Sequence, residues 1–166
     1  TVNTYNLLAN SSFPNGNPPI YKTNNSPLVT VVKLDDGYAL RVQVTAARGG
    51  VYFTKTDMVK PYKSGDSYSV SFKVKGAGSW HTVAMEYATT DRNVLPIIDA
   101  EKWQTVFVRG VSTADIGAFI IYLMEGADIY IKDFMFTKGK MFVDYLPAPD
   151  DLDNSPGGTN ILTNTN

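Results

Sequence analysis

The chain has 166 residues, of which 43% are hydrophobic, 12% aromatic and 19% charged, and its formal charge is −1. A chain of this length and composition buries a full core and belongs with folded globular proteins, not disordered ones. Its balanced charge leaves no broad positive field to collect nucleic acid or anionic lipid. With no cysteine, disulfides, thiolate nucleophiles and cysteine zinc sites are excluded together.

In chain order, the first element is the apolar stretch Asn6-Leu7-Leu8, followed by Asn10-Ser11-Ser12. Residues 13–27, "FPNGNPPIYKTNNSP", hold four of the nine prolines and read as a long surface loop. Strands are expected at Leu28 to Leu34, Tyr38 to Thr45 and Val51 to Thr54, where β-branched and aromatic residues predominate. In "SYSVSFKV", Ser67 to Val74, the set Tyr68, Val70, Phe72 and Val74 alternates with Ser69, Ser71 and Lys73, the mark of a half-buried strand.

Further strands are expected at Trp80 to Ala88, Trp103 to Arg109, Ala118 to Leu123 and Asp128 to Phe136. Asp35-Asp36-Gly37, Ser64-Gly65-Asp66, Gly76-Ala77-Gly78 and Glu125-Gly126-Ala127-Asp128 supply the turns. Gly76-Ala77-Gly78 reads as a hairpin. No long window has helical periodicity, although Ser112 to Ile116 could form one capped turn. Many short strands with Gly/Asp turns imply an all-β fold, two antiparallel sheets packed as a jelly-roll sandwich.

On this reading residues 1–146 form one β-sandwich module and residues 147–158, "PAPDDLDNSPGG", a linker. The last eight residues, "TNILTNTN", repeat the opening pattern of Asn, Leu or Ile, Leu, any residue, Asn, Ser or Thr. Residues 159–166 therefore read as the start of a following similar module.

Catalytic constellations are scarce. The single histidine, His81, cannot build a zinc site or most acid–base sets alone, and its parity with Val83, Met85 and Tyr87 puts it at the end of a buried face. G-x-S-x-G and the phosphate-binding loop are both absent. The chain is therefore read as having no catalytic residues.

Recognition is the remaining chemistry. Trp80 and Glu86 share the outward parity of their strand, and Arg41 and Gln43 take the non-core parity of theirs. Were those two strands neighbours, an indole floor would stand beside a guanidinium, an amide and a carboxylate. That set suits a sugar, with its C–H face on the ring and its hydroxyls bonded in plane. Alternatively, Trp80 covers the sheet edge. Tyr122 and Tyr130 could extend the platform, though their runs "AFIIYL" and "DIYIKDF" are apolar on both parities and suit core packing. Trp103, in parity with Thr105 and Phe107, reads as core, whereas Tyr21 and Tyr62 fall in loops, where sandwiches often carry binding residues.

Asn6-Leu7-Leu8 with Phe13, "SYSVSFKVK" (67–75), "IYIKDFMFTKG" (129–139) and "VDYLPAPDD" (143–151) together resemble the carbohydrate-binding modules of tail and baseplate proteins from phages of Gram-positive bacteria. The chain departs from the family pattern at Tyr145-Leu146, where a tryptophan usually precedes Pro-Ala-Pro, and at Thr137-Lys138-Gly139, where Glu-Lys-Gly is common. The resemblance implies a galactose-binding-like jelly roll, not an enzyme, that adheres to bacterial surface polysaccharide. Other phage tail proteins would be its partners and the virion its location. It also implies a structural calcium near the join of first and last strands, for which Asp133 is the candidate ligand unless it pairs with a lysine or a turn amide. The competing expectations are a structural spacer of the phage tail that binds no sugar, and an accessory module of a bacterial glycanase.

Overall fold

The computed structural model describes residues 4–151. Ten strands, β1 (Lys22–Asn24), β2 (Leu28–Leu34), β3 (Gly37–Gln43), β4 (Arg48–Thr54), β5 (Ser67–Ala77), β6 (Trp80–Met85), β7 (Ala88–Val94), β8 (Gln104–Ser112), β9 (Ala118–Met124) and β10 (Asp128–Lys138), are joined by loops and two 3₁₀ turns. They form a four-stranded sheet in the order β1-β4-β9-β6 and a six-stranded sheet in the order β2-β3-β10-β5-β8-β7. Every pairing is antiparallel. The all-β sandwich is the one expected from alternation. Among the described residues no helix is long and apolar enough to cross a membrane.

Phenylalanines weld the two layers together. Phe53 of β4 and Phe119 of β9 meet Phe134 and Phe136 of β10 and Phe72 of β5, with ring centroids 5.0 Å (Phe53–Phe134), 5.5 Å (Phe119–Phe136) and 6.4 Å (Phe72–Phe119) apart. Tilted and edge-on contacts at these distances add specific geometry to burial, each worth about 0.5–1.5 kcal/mol beyond its area.

Several local expectations change. Gly76-Ala77-Gly78 is not a hairpin turn: it carries the chain from β5 in one sheet to β6 in the other. Gly76 is needed there because its φ is 139° and a Cβ would lie 2.5 Å from the Asp128 carbonyl oxygen. Strand β7 was not anticipated, since "ATTDRNV" is exposed from Thr89 onward and an edge strand facing water on both sides shows no apolar alternation. Inside the expected loop 13–27, Phe13 is buried, Pro14–Gly16 forms a 3₁₀ turn and β1 pairs with β4. Ser112 to Ile116 forms no helical turn, because Ser112 ends β8 and its hydroxyl donates to the Ala114 carbonyl at 2.8 Å. Tyr62 lies in a loop but is fully buried, its hydroxyl donating to the Thr137 carbonyl at 2.8 Å.

Residues 139–151 fold back as a strap over part of the outer face of the six-stranded sheet, against β5, β8 and β10. Gly139 accepts from Ser69 Oγ at 2.8 Å, Phe142 stands edge-on to Phe107 at 5.2 Å, and the Leu146 amide meets Met135 Sδ at 3.4 Å. Ser69 and Ser71, which alternation put on a solvent face, are buried as a result. The end of the strap is fastened to the N-terminal turn. The Asp151 carboxylate accepts from the amides of Asn10 (2.7 Å) and Ser12 (3.0 Å) and from both serine hydroxyls, and Ala148 donates to Ser11 Oγ at 3.1 Å. Of the segment expected as a linker, residues 147–151 are thus packed on the sandwich. Residues 152–166, with the repeated opening pattern, lie outside the described residues.

Asn6 is the interior counterpart of this clasp. Its Nδ2 donates to the carbonyls of Phe134 (2.6 Å) and Leu146 (2.8 Å), and its Oδ1 accepts from the amides of Leu8 (3.2 Å) and Phe136 (3.1 Å). Because the site is buried, truncation would leave backbone groups without partners, which costs more than the bonds contribute net. Asn6→Ala is expected to lower unfolding free energy by about 3 kcal/mol, checked by urea denaturation against the parent chain.

Candidate functional site

The part of the six-stranded sheet that the strap leaves open carries a row of chemically active side chains. Register sets Thr30 opposite Arg41, Arg41 opposite Tyr130, and Tyr130 opposite Lys75. Trp103 directly precedes β8, whose Gln104 pairs with Val74, so its indole extends the same row. Lys75 Nζ lies 5.0 Å and Lys132 Nζ 4.4 Å from the indole centroid, within cation–π reach. Arg41 donates to Asp128 through both Nε (2.9 Å) and Nη2 (2.7 Å), and its guanidinium carbon is 5.8 Å from the Tyr130 ring centroid. Hydrogen bonding from Arg41 holds the Asp128 carboxyl below the ordinary carboxylate range, and the same bonds raise the Arg41 pKa.

Beside this row runs a groove of three adjacent hollows that share lining residues. The widest, about 550 Å³, is lined by Lys33, Leu34, Asp35, Asp36, Lys75 and Trp103. The second, about 340 Å³, shares Asp36 with it and adds Ser12, Tyr38, Lys132, Asp133 and Tyr145. The third, about 240 Å³, shares Asp133 and Tyr145 with the second and reaches Lys73, Thr105, Phe142 and Asp144. The sheet is the floor and the strap is one wall. Asp36 is bonded to Lys132 at 3.1 Å, and this bond depresses its carboxyl pKa. Burial pushes the Tyr145 phenol up to about 12.

The sequence-derived candidates divide between the two sheets. Arg41, Gln43 and Tyr130 share the outer face of the six-stranded sheet, with Gln43 opposite Asp128. Trp80 and Tyr122 belong to the four-stranded sheet, with Glu86 just past the end of β6. The strands of Arg41 and Trp80 are therefore not neighbours.

Trp80 is not an outward platform. The pairing shifts between Trp80↔Leu123 and Thr82↔Tyr122, so His81 is an extra residue, and a bulge of this kind changes which face a side chain takes. The indole turns toward the interior, edge-on to Phe72 at 6.1 Å, and donates to the Pro96 carbonyl at 2.8 Å. His81, expected at the end of the buried face, is exposed. Glu86 is exposed and accepts from the Ala118 amide at 3.0 Å. Tyr122 is half-buried between Gly50 and Thr82 on the outer side of its sheet, and burial raises its phenol pKa, with Glu86 adding to the effect.

Trp103, expected in the core, is the tryptophan on the open face. Its parity partner Phe107 misled because the Phe142 ring of the strap covers it. The signal that could have found Trp103 is its parity with Thr105, which is exposed. Asp133 takes the alternative expected for it, a lysine partner. Its carboxylate faces Lys73 at 3.5 Å, and among the described residues no group of three or more His, Asp or Glu could hold a metal. A cation as nearest charged partner is the opposite of what a calcium ligand set requires.

No family model matches the sequence, and no curated protein matches it. Solved structures do match. The tandem CBM22-1-CBM22-2 domain of Paenibacillus barcinonensis Xyn10C superposes with a TM-score of 0.62 at 14% identity, over 90% of this chain and 50% of that one. TmCBM61, solved with β-1,4-galactotriose, gives 0.56 at 18% identity over 81% and 99%. The enzymatically active domain of bacteriophage CBA120 tailspike protein 4 gives 0.53 at 12% identity over 81% and 22%. The fold is the galactose-binding-like jelly roll. At these identities the likeness concerns the fold.

The ion pair at the edge of the row gives a direct test. In a carboxyl NMR titration the Asp128 midpoint is expected below the ordinary range, and Arg41→Gln is expected to return it there. A depressed folded pKa means the pair's contribution is present above the unfolded value and disappears as pH falls through the folded one. Acid unfolding of Arg41→Gln should therefore lose that low-pH component.

Proposed function

We propose that this chain is a non-catalytic carbohydrate-binding module, and that the groove beside Trp103 is its site. The observation that carries the reading is the placement of a half-buried indole, flanked by Lys75 and Lys132, on the open floor of a polar groove. An aromatic face with hydrogen-bonding groups around its edge accepts a sugar ring and its hydroxyls together. The carbohydrate-binding modules among the structural neighbours give the same fold a precedent for this use. The non-catalytic reading is supported by the groove's own chemistry: two of its carboxylates, Asp36 and Asp133, each face a lysine, and the single histidine lies on the other sheet.

The finer reading is a module of a phage tail or baseplate protein that adheres the virion to polysaccharide of the host wall, beside other tail proteins. Two things support it: the motifs shared with such modules, and the occurrence of this fold in a bacteriophage tailspike. A single shallow site would bind weakly, at about mM or about −4 kcal/mol. Repetition on a particle would raise avidity by roughly 10² to 10⁴.

A fluorescent fusion of the chain is expected to decorate Gram-positive cells, and Trp103→Ala to reduce decoration at least tenfold without changing the melting temperature appreciably. Trp80→Ala should instead lower stability. Decoration that survives Trp103→Ala unchanged would remove the indole from the site and leave assembly with other tail proteins as the better account.

A further inference from the structure

Asp133 is held in an unusual way. It has a φ of 55° in the middle of β10, a central strand, and non-glycine residues adopt this left-handed conformation seldom. The register explains why. Lys132 pairs with Lys73 and Met135 with Ser71, so Asp133 and Phe134 together oppose Phe72 alone, which is a β-bulge. The bulge lets Phe134 turn into the core, where it is fully buried, while the Asp133 carboxylate lines two hollows of the groove at once. Tyr145 is the other residue common to both.

Resting on the carbohydrate reading above, we propose that Asp133 and Tyr145 form the crossing point between two adjacent sugar subsites, with Asp133 as the specificity-determining hydrogen-bond acceptor. Strain and bulges concentrate where a side chain must be aimed. Among the described residues the ion-pair partner of Asp133 is Lys73 at 3.5 Å, and a carboxylate so paired retains capacity for hydroxyl donors. The Tyr145 hydroxyl, hydrogen-bonded to Ser11, is the second polar group shared by the two hollows. A ligand that fills both hollows has to run between these two groups, so the ligand class is an uncharged, hydroxyl-rich chain of linked sugars. A terminal sugar alone would occupy one hollow, and a ligand carrying carboxylates or phosphates at this point would meet the Asp133 charge.

The test uses wall polysaccharide purified from Gram-positive bacteria and its mild-acid fragments, sorted by length, measured by calorimetry on the whole chain. Asparagine tolerates the left-handed conformation, so Asp133→Asn keeps the bulge and removes the charge. Affinity for fragments of three or more sugars is expected to fall tenfold or more, the size of losing a charge-assisted bond, and the gain of affinity with length should flatten. Glycine relieves the backbone cost, so Asp133→Gly should melt no lower than the parent yet lose the same affinity. If Asp133→Asn and Asp133→Gly bind every fragment as the parent does while Trp103→Ala does not bind, the crossing point is overturned and the carbohydrate site stands. If Trp103→Ala also binds as the parent does, both fall.

Discussion

The carboxamide of Asn6 satisfies backbone groups of three segments at once: the N-terminal stretch, strand β10 and the strap. Three of the four bonds are buried and the one to Leu146 is partly buried, so none is readily replaced by water, and their sequence separations reach 140 residues. Much else follows from them. The strap can lie on the sheet only if its backbone is anchored, because between Lys140 and Leu146 it presents exposed side chains such as Met141 and Asp144. Once anchored, it buries Ser69, Ser71 and Phe107 and becomes the wall of a groove. Asp151 secures the far end of the same strap to the Asn10 to Ser12 turn. Groove and chain closure are thus one construction.

Two bulges then decide which aromatic groups meet solvent. A single extra residue reverses the face of everything beyond it. In β6 the extra His81 sends Trp80 inward, and in β10 the extra residue keeps Phe134 and Phe136 in the core after Ile129 and Ile131, although the parity has changed. Both bulges border the functional question. One removes a tryptophan from the surface, and the other aims a carboxylate into the groove.

The groove's charges are largely matched. Its lining sets Lys33, Lys73, Lys75 and Lys132 against Asp35, Asp36, Asp133 and Asp144, with Lys73–Asp133 and Lys132–Asp36 directly paired and Arg41–Asp128 paired in the row alongside. Such half-exposed pairs contribute little to stability, but they fix side chains in place and leave no strong field. A surface of this kind suits ligands recognised by shape and hydrogen bonding more than by charge. The jelly-roll fold is shared by proteins of many functions, so the case for sugar recognition rests on Trp103 and its neighbours and not on the sheets beneath them.

The amino-acid sequence by itself determined that the chain is all-β, where eight of the ten described strands lie, and which side-chain chemistry it has for recognition. Strand periodicity and turn residues are local properties, and they survive whatever the strands later pack against. Arg41 and Gln43 fell on one open face as their parity allowed, whereas Tyr130, whose run suited core packing, joined them there only through its pairing with Arg41. The choice of tryptophan was not legible. Trp80 opens β6 and Trp103 directly precedes β8, in runs of similar pattern; one turns inward through an extra residue, and the other lies on the part of its face that a strap from 30 or more positions away, covering Phe107, leaves open. Only the tertiary structure decided this, because parity says which side chains share a face, whereas solvent reaches that face according to what a distant segment covers.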